Sequence, residues 1–569
     1  MTRPLLAIFA APLFLGACAT VPTQTAAPTF AKGMVSAADP RAAEAGAEML
    51  RAGGSASDAV LATLLALTVV EPQSSGIGGG GFLVIGDGKG QVETIDGRET
   101  APKAAGPDWF KLNGQYLSVP QAVPGGLSVG VPGNLRLMEL AHQRHGKLAW
   151  KALFAPAIRL ASGGFVMTER LVEFLAHSKD TAALTAEGRQ LYYQADGTTP
   201  LAAGTVIRNP ALARFLEQLA QGGADSFYRG ANATAIARAV STAQRNPAPM
   251  TTGDIAGYRA KQRPAVCASY RRHRICGMGP PSSGATTVLG TLGLLERFDL
   301  KAMGKDDPRS WHLIAEAERL AYADRERYLA DADFIAVPVA GLLAPEYLAA
   351  RSQLIAIDRT MPSVAPGNPA GVKVALADSL TPEIVSTSHF VAVDRTGQTA
   401  TLTSTIESSF GSGLMVSGYF LNNELTDLSL IPERAGVLVA NRVEGGKRPR
   451  SSMAPTIVYG PDGKLRLAIG AAGGTTIPAQ VLKAIIAVID WDLSAQDAIA
   501  QPVIFAPGGN TLFIEQGTAL EAMIPALQAL GHTDVRARFP SFKANAIEVV
   551  DGRLIGAADP RSDGRAIEE

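Results

Sequence analysis

Ser386-Thr387-Ser388-His389-Phe390-Val391-Ala392-Val393-Asp394 is followed, after a short turn, by Thr399 to Ile406, and apolar and hydroxyl-bearing residues alternate through both runs. Period-two alternation on either side of a turn is the signature of a half-buried β-hairpin. If the loop spans 394–398, Val393 faces Thr399 and, six steps down the ladder, Thr387 faces Thr405. Directly opposed side chains touch, so two hydroxyls share one face. Taken alone, the stretch is better explained as a β-branched hairpin with threonines on its wet side.

The residues downstream change that balance. Asn422-Asn423-Glu424-Leu425-Thr426-Asp427 clusters amides and carboxylates, and Lys447-Arg448-Pro449-Arg450-Ser451-Ser452 offers cations and hydroxyls. A strand over Leu465 to Ile469 ends in Gly470-Ala471-Ala472-Gly473-Gly474, ahead of a helical run from Ile477 to Ile489. Paired glycines between a strand and a helix N-terminus expose backbone N–H groups at the positive end of the helix dipole, where an oxyanion or carboxylate is stabilised. Together these stretches supply a nucleophile, an oxyanion hole and a polar pocket of amino-acid size.

Upstream, Asp39-Pro40 opens a helix that Gly53-Gly54 stops, and Ser55 to Asp58 forms a capping box for a second helix, apolar nearly all round to Val70. Gly76 to Gly81 then precedes a strand at Phe82 to Ile85. Helix, glycines, strand reverses the order of a dinucleotide fingerprint, so the glycines are read as sites of close backbone packing. The middle, about 130 to 350, is mostly helical, as in Asn134 to Arg144, Ala211 to Gly222 and Pro308 to Leu329, with a β-rich insert near Ala265 to Met278. Residues 360–385 are rich in Pro and Gly and are expected to be exposed. Cys267 and Cys276 flank a hairpin whose tip is Arg271-Arg272, which sets the cysteines opposite each other and within disulfide reach. Arg-Arg is poor chemistry for a two-residue turn, so this pairing stays open.

At the N-terminus, Arg3 and the apolar run Leu5 to Leu15 form an export signal too short to span a bilayer. Leu15-Gly16-Ala17-Cys18 resembles the bacterial lipoprotein box, giving a signal peptide over 1–17, lipidation at Cys18, a tether over 18–32 and a periplasmic, membrane-anchored protein. A plain secretory signal is the alternative. Lys plus Arg and Asp plus Glu both number 52 in 569 residues, and this neutrality excludes a global field for nucleic acid. Hydrophobic residues at 47% exclude disorder, and three cysteines exclude a disulfide scaffold. His142, His145 and Glu139 approach metal-ligand spacing but sit at a helix end, and no metal or cofactor is expected. Gly126-Leu127-Ser128-Val129-Gly130 matches a nucleophile elbow, yet Val131-Pro132-Gly133 prevents the helix that the motif needs.

From about Gly33 onward the chain resembles the γ-glutamyltranspeptidases (glutathione hydrolases) of the N-terminal-nucleophile superfamily. The matching stretches are EPQSSGIGGGGF, DGRETAP, VPGGLSVGVPGN, MGPPSSG, TSHF, TSTIESSFGSG, LNNELTD, KRPRSSMAPTIV and AAGG, in the family's order. The resemblance implies a four-layer αββα sandwich of the α+β class, self-cleaved between Ser386 and Thr387 into a large subunit, 33–386, and a small subunit, 387–569. It makes Thr387 the nucleophile with its freed α-amine as base, Thr405 its hydrogen-bonding partner, and the Gly473 and Gly474 amides the oxyanion hole. Arg98, Ser451 and Ser452 would hold the donor's α-carboxylate, and Glu424 and Asp427 its α-ammonium. Glu407 replaces the Asn of many members, and a carboxylate there still suits an ammonium. The stretch from Leu428 to Arg450 is shorter than a full active-site lid. The implied partners are γ-glutamyl compounds such as glutathione, with amino-acid or peptide acceptors. Two other readings stand beside this one: an acylase that takes glutaryl side chains of cephalosporins, and a non-enzymatic surface lipoprotein with the same fold.

Overall fold

The computed structural model describes residues 29–379, 386–538 and 542–569. The expected signal peptide, Cys18 and most of the expected tether lie outside the described residues, as does the end of the Pro/Gly-rich stretch, 380–385.

The first two helices, α1 (Pro40–Arg51) and α2 (Ala56–Val70), start where their caps dictate. Asp39 accepts from the Arg41 amide, and Ser55 and Asp58 cap one another reciprocally. Every residue of α2 is buried, as its all-round apolar pattern requires. Three later helices matter for the site: α3 (Gly284–Leu295), α4 (Pro308–Tyr328) and α5 (Ile477–Ile489).

Two sheets carry the core strands. In chain order these are β1 (Met34–Ala37), β2 (Gly80–Gly86), β3 (Val92–Asp96), β4 (Lys261–Arg263), β5 (Val266–Tyr270), β6 (His273–Gly277), β7 (Thr387–Val393) and β8 (Thr399–Thr405). There follow β9 (Thr456–Tyr459), β10 (Leu465–Ala472), β11 (Lys543–Val550), β12 (Arg553–Ala558) and β13 (Arg565–Glu568). Among the described residues, the first sheet runs β13-β1-β7-β8-β2-β3-β4 and the second β12-β11-β10-β9-β6-β5.

One face of the first sheet (Val35, Leu83, Phe390, Leu402) packs on α1 and α2. Its other face (Phe82, Val84, Val391, Val393) packs on the second sheet, and α3, α4 and α5 complete that core. The order is helices, sheet, sheet, helices, the αββα sandwich. β7 and β8 pair antiparallel with Thr387 opposite Thr405 and Val393 opposite Thr399. Both strands are buried throughout, so their threonines line a dry inter-sheet seam instead of a wet face.

Cys267 and Cys276 are opposed on β5 and β6 and joined by a disulfide. The Arg271-Arg272 turn has φ of 46° and 65°, the left-handed backbone of a type I′ turn, which non-glycine residues rarely adopt. Contacts outside the turn hold it there. The Arg271 Nε donates to Asp490 (3.1 Å), and its other nitrogens donate to the Glu296 and Phe298 carbonyls.

Candidate active site

Thr387 is the first residue of β7, and its hydroxyl donates to that of Thr405 across the ladder (3.3 Å). The Thr405 hydroxyl in turn donates to the Ser386 carbonyl oxygen (2.7 Å) and accepts from the Glu407 amide (2.7 Å). Its one proton and two lone pairs are all in use. The hydroxyl therefore polarises the carbonyl of the peptide bond that precedes Thr387. Ser386 is fixed from the other side, its hydroxyl donating to the Gln73 carbonyl (2.5 Å). The glycine run lets this assembly close, because a Cβ on Gly79 would sit 1.9 Å from the Thr405 carbonyl oxygen.

A narrow cleft opens beside Thr387, lined by Arg98, Thr405, Glu407, Glu424, Asp427, Ser451, Ser452 and Gly474, with Met453 and Ile477 as its apolar wall. Gly473 adjoins the cleft through Gly474 without lining it. Segments far apart in sequence thus meet at one hydroxyl. The strand β10 runs through Ala472, and a short 3-10 turn, Gly474–Thr476, separates the glycines from α5. The glycines therefore do not abut the helix directly. Gly473 has φ 146° and Gly474 φ 57°, and neither amide donates a hydrogen bond among the described residues. A Cβ on Gly473 would lie 2.6 Å from both the Gln480 amide nitrogen and the Thr476 hydroxyl.

The charged wall is almost completely buried. Arg98 donates to Glu424 and Asp427 with two different nitrogens, and also to the Pro449 (3.1 Å) and Arg450 (3.0 Å) carbonyls. Burial opposes the guanidinium's charge, but Glu424 and Asp427 outweigh that and keep it protonated. Burial pushes the Glu424 carboxyl upward, while its contact with Arg98 pulls it back down. Glu407 has φ 77° and a carboxylate held by Ser408 (2.6 Å) and Asn423 (3.1 Å). A strained, non-glycine left-handed residue in a cleft is typical of a working site.

The cations of 447–450 do not line the cleft. Arg448 pairs with Asp96 (2.8 Å), Arg450 with Glu326 (2.8 Å) and Lys447 with Glu444 (2.8 Å), so they brace the Arg98 loop and its surroundings. The serines are positioned by residues that sequence reading missed. The Ser451 carbonyl accepts from the amide (2.7 Å) and hydroxyl (2.8 Å) of Ser283, and Arg325 of α4 donates to the Ser452 hydroxyl (2.6 Å). MGPPSSG was the available signal for Ser283; nothing local marks Arg325.

His389 lies on the same face as Thr387, wedged between Thr403 (2.8 Å) and Thr401 (3.2 Å), and burial pushes its imidazole down to about 3. It is neutral and spoken for. Ser128 closes a turn through the Val123 carbonyl (2.6 Å), and Glu139 pairs with Arg136 (2.7 Å), so neither the elbow string nor the Glu139/His142/His145 spacing forms a site. His312, Glu316 and His532 do cluster, but the two rings hydrogen-bond each other (2.8 Å) and Glu316 accepts from Arg319, Thr360 and Met361.

Residues 42–568 match the sequence model of the gamma-glutamyltranspeptidase family. The chain belongs to that family. It is 35% identical over 550 residues to a glutathione hydrolase proenzyme of Bacillus subtilis strain 168, covering 94% of this chain and 91% of the relative. It is 33% identical to an acylase ACY 1 proenzyme of Pseudomonas sp. strain V22, covering 95% and 94%. The crystal structure of a cephalosporin acylase from Bacillus halodurans superposes with a TM-score of 0.83 at 26% identity, covering 98% of this chain and 99% of that one. The relatives thus include both glutathione hydrolases and acylases.

Proposed function

We propose that this protein is an exported, lipid-anchored γ-glutamyl hydrolase and transferase that matures by cutting itself between Ser386 and Thr387. The observation that carries the reading is the cleft itself: a strand-end hydroxyl stands beside a buried cation and three carboxylates, a set complementary to a zwitterion. In maturation, the Thr387 hydroxyl attacks the Ser386 carbonyl carbon, which Thr405 polarises. The acyl group moves from nitrogen to oxygen, and water hydrolyses the resulting ester, leaving a carboxylate on Ser386 and a free amine on Thr387.

In turnover that amine takes the hydroxyl proton, and Thr387 attacks the donor's γ-carbonyl. The Gly473 and Gly474 amides receive the oxyanion, the amine leaving group departs, and a γ-glutamyl ester remains. Water or an amino acid then takes the acyl group. Arg98 with Ser451 and Ser452 serves the donor's α-carboxylate, and Glu407, Glu424 and Asp427 its ammonium, so the donor enters by replacing the Arg98 ion pairs with its own charges.

The match to acylases favours a second reading, in which a glutaryl chain occupies the cleft. Three acids around one cation oppose that, since a glutaryl terminus brings a second carboxylate and no ammonium. The test is a denaturing gel with N-terminal sequencing, then turnover of chromogenic γ-glutamyl and glutaryl anilides. A new chain beginning at Thr387, γ-glutamyl turnover and an uncut, inactive Thr387→Ala are expected. A chain beginning elsewhere, or activity in Thr387→Ala, overturns the assignment, and a glutaryl preference moves it to the acylase reading. An uncut, inactive wild type would leave a binding protein.

A further inference from the structure

Glu99, next to Arg98, is fully buried, and neither of its carboxyl oxygens has a hydrogen-bond donor among the described residues. Its nearest cation is the Arg98 Nη1, 3.9 Å away, beyond hydrogen-bond reach and already committed to Glu424. The carboxyl is pressed against the backbone, since a Cβ on Gly80 would meet Glu99 Oε2 at 2.3 Å. An ionised carboxylate in such a place, dry and without donors, is a costly arrangement. Glu424 has the complementary gap: Oε1 is bound by Arg98, while Oε2 is buried without a donor. Both carboxyls face one nitrogen, Arg98 Nη1, Glu424 through the Oε1 hydrogen bond and Glu99 through Oε2 at 3.9 Å, so they share one dry pocket. One proton on Glu99 fills both gaps.

We infer that Glu99 is a neutral carboxylic acid that donates to Glu424 Oε2, and that it is the positioning residue that holds Glu424 as an acceptor for the donor's ammonium. The second half rests on the γ-glutamyl reading above. The groups facing the pair are Arg98 beside Glu99, Asp427 on the same one-turn helix as Glu424, and the Tyr258 phenol, which donates to the Arg98 carbonyl (2.7 Å). Burial first, and then the charge of Glu424, hold the Glu99 proton in place, while Arg98 pulls the other way. The pair titrates as a unit. Its shared proton therefore leaves at a higher pH than a free carboxyl's, and two carboxylates then push apart and displace Glu424 from the donor.

Glu99→Gln supplies a donor that cannot titrate, whereas Glu99→Ala removes it. With a γ-glutamyl anilide, Glu99→Gln should keep KM within about 3-fold of wild type near neutrality and lose part of the alkaline rise in KM. Glu99→Ala should raise KM by about 10-fold or more with a smaller change in kcat, because Glu99 touches no reacting atom. The donor's ammonium and Asp427 are common to all three proteins, so the difference between profiles belongs to Glu99. Equal impairment of Gln and Ala variants, or an unchanged alkaline limb in Glu99→Gln, overturns the inference. Infrared spectroscopy of the purified protein decides protonation without turnover: a protonated-carboxyl band at neutral pH that Glu99→Gln removes is expected, and its absence refutes the neutral acid. An inactive wild type that shows the band would sink the γ-glutamyl reading and leave the shared proton standing.

Discussion

Thr405→Val tests the geometry at the proposed scissile bond, because it keeps the side-chain shape and deletes only the hydroxyl. That hydroxyl makes three contacts: it donates to the Ser386 carbonyl (2.7 Å), accepts from Thr387 (3.3 Å) and accepts from the Glu407 amide (2.7 Å). Removing one donor aimed at a developing oxyanion slows acyl transfer by roughly 10²–10³-fold, about 2.7–4 kcal/mol of barrier. The Thr387 hydroxyl can rotate to another partner, but the buried Glu407 amide cannot. An orphaned buried N–H costs about 1–3 kcal/mol, so folding stability should fall by that amount as well. Thr405→Ser keeps all three contacts and should cut within about 10-fold of the wild-type rate, a margin of about 1.4 kcal/mol for the lost methyl packing. Loss of full-length chain after a pulse of synthesis, read on a denaturing gel, gives the rates, and urea unfolding gives the stabilities. Cleavage of Thr405→Val within about 3-fold of wild type would refute the polarising role. Equal slowing in the Ser and Val variants would shift the explanation to packing by the methyl group.

Asp427→Asn should reduce kcat/KM for γ-glutamyl donors by roughly 30-fold or more while sparing glutaryl donors, and Arg98→Lys should fall between wild type and Arg98→Ala, because Lys keeps the charge without the fork. Parallel kinetics on the two donor classes decide it, and equal losses would show that Asp427 does not read the amine. Gly470→Ala should lower stability by about 1–3 kcal/mol, since a Cβ there would lie 2.3 Å from the fixed ring of His389; thermal unfolding at the wild-type Tm would contradict it. Burial pushes the Glu318 carboxyl up to about 8. Its folded form therefore holds a proton that the unfolded chain releases near pH 4.5, and this group makes stability fall between those values as pH rises. Glu318→Gln should accordingly unfold at a Tm that gains on wild type from about pH 5 to 8, and a pH-independent difference would refute the buried acid.

How much of this was legible in the sequence depended on how local the cause was. The β7–β8 register follows from one loop length, because a hairpin's pairing is fixed by its turn and both strands alternate with period two. Asp39 and Ser55 mark helix starts for equally local reasons. The Thr387–Thr405 pairing came from that register and the paired glycines from the strand–glycine–helix order, but the roles of Arg98, Glu407, Glu424, Asp427, Ser451 and Ser452 came from matching motifs, which carry position without contact. So the loop DGRETAP pointed to Arg98 while giving no sign that Glu99 turns inward against Gly80. Likewise KRPRSS offered three cations, and nothing in the string says that Arg448 and Arg450 are spent on Asp96 and Glu326. Arg325 sits 127 residues from the Ser452 hydroxyl it holds, and His312 pairs with His532 across 220. Only the packed fold creates such neighbours. The Arg271-Arg272 turn is the reverse case: its local chemistry is unfavourable, and tertiary contacts to Asp490 and Glu296 override it.

The strand order of the two sheets has a further consequence for the proposed cut. β1, from before residue 387, is inserted between β13 and β7, which come after it, while β9 of the second sheet pairs with β6 from the earlier part. The pieces on either side of the cut are therefore interlaced, and neither holds either of the two core sheets complete. Synthesised as separate chains, each would present long unpaired edges and aggregate before finding the other. A single polypeptide avoids that encounter, and severing it afterwards leaves two chains held by the same ladders. The reaction also becomes a checkpoint. Thr405 reaches the Ser386 carbonyl only when β8 is seated between β7 and β2, so a chain that has misassembled stays whole, and the scission itself records that folding succeeded.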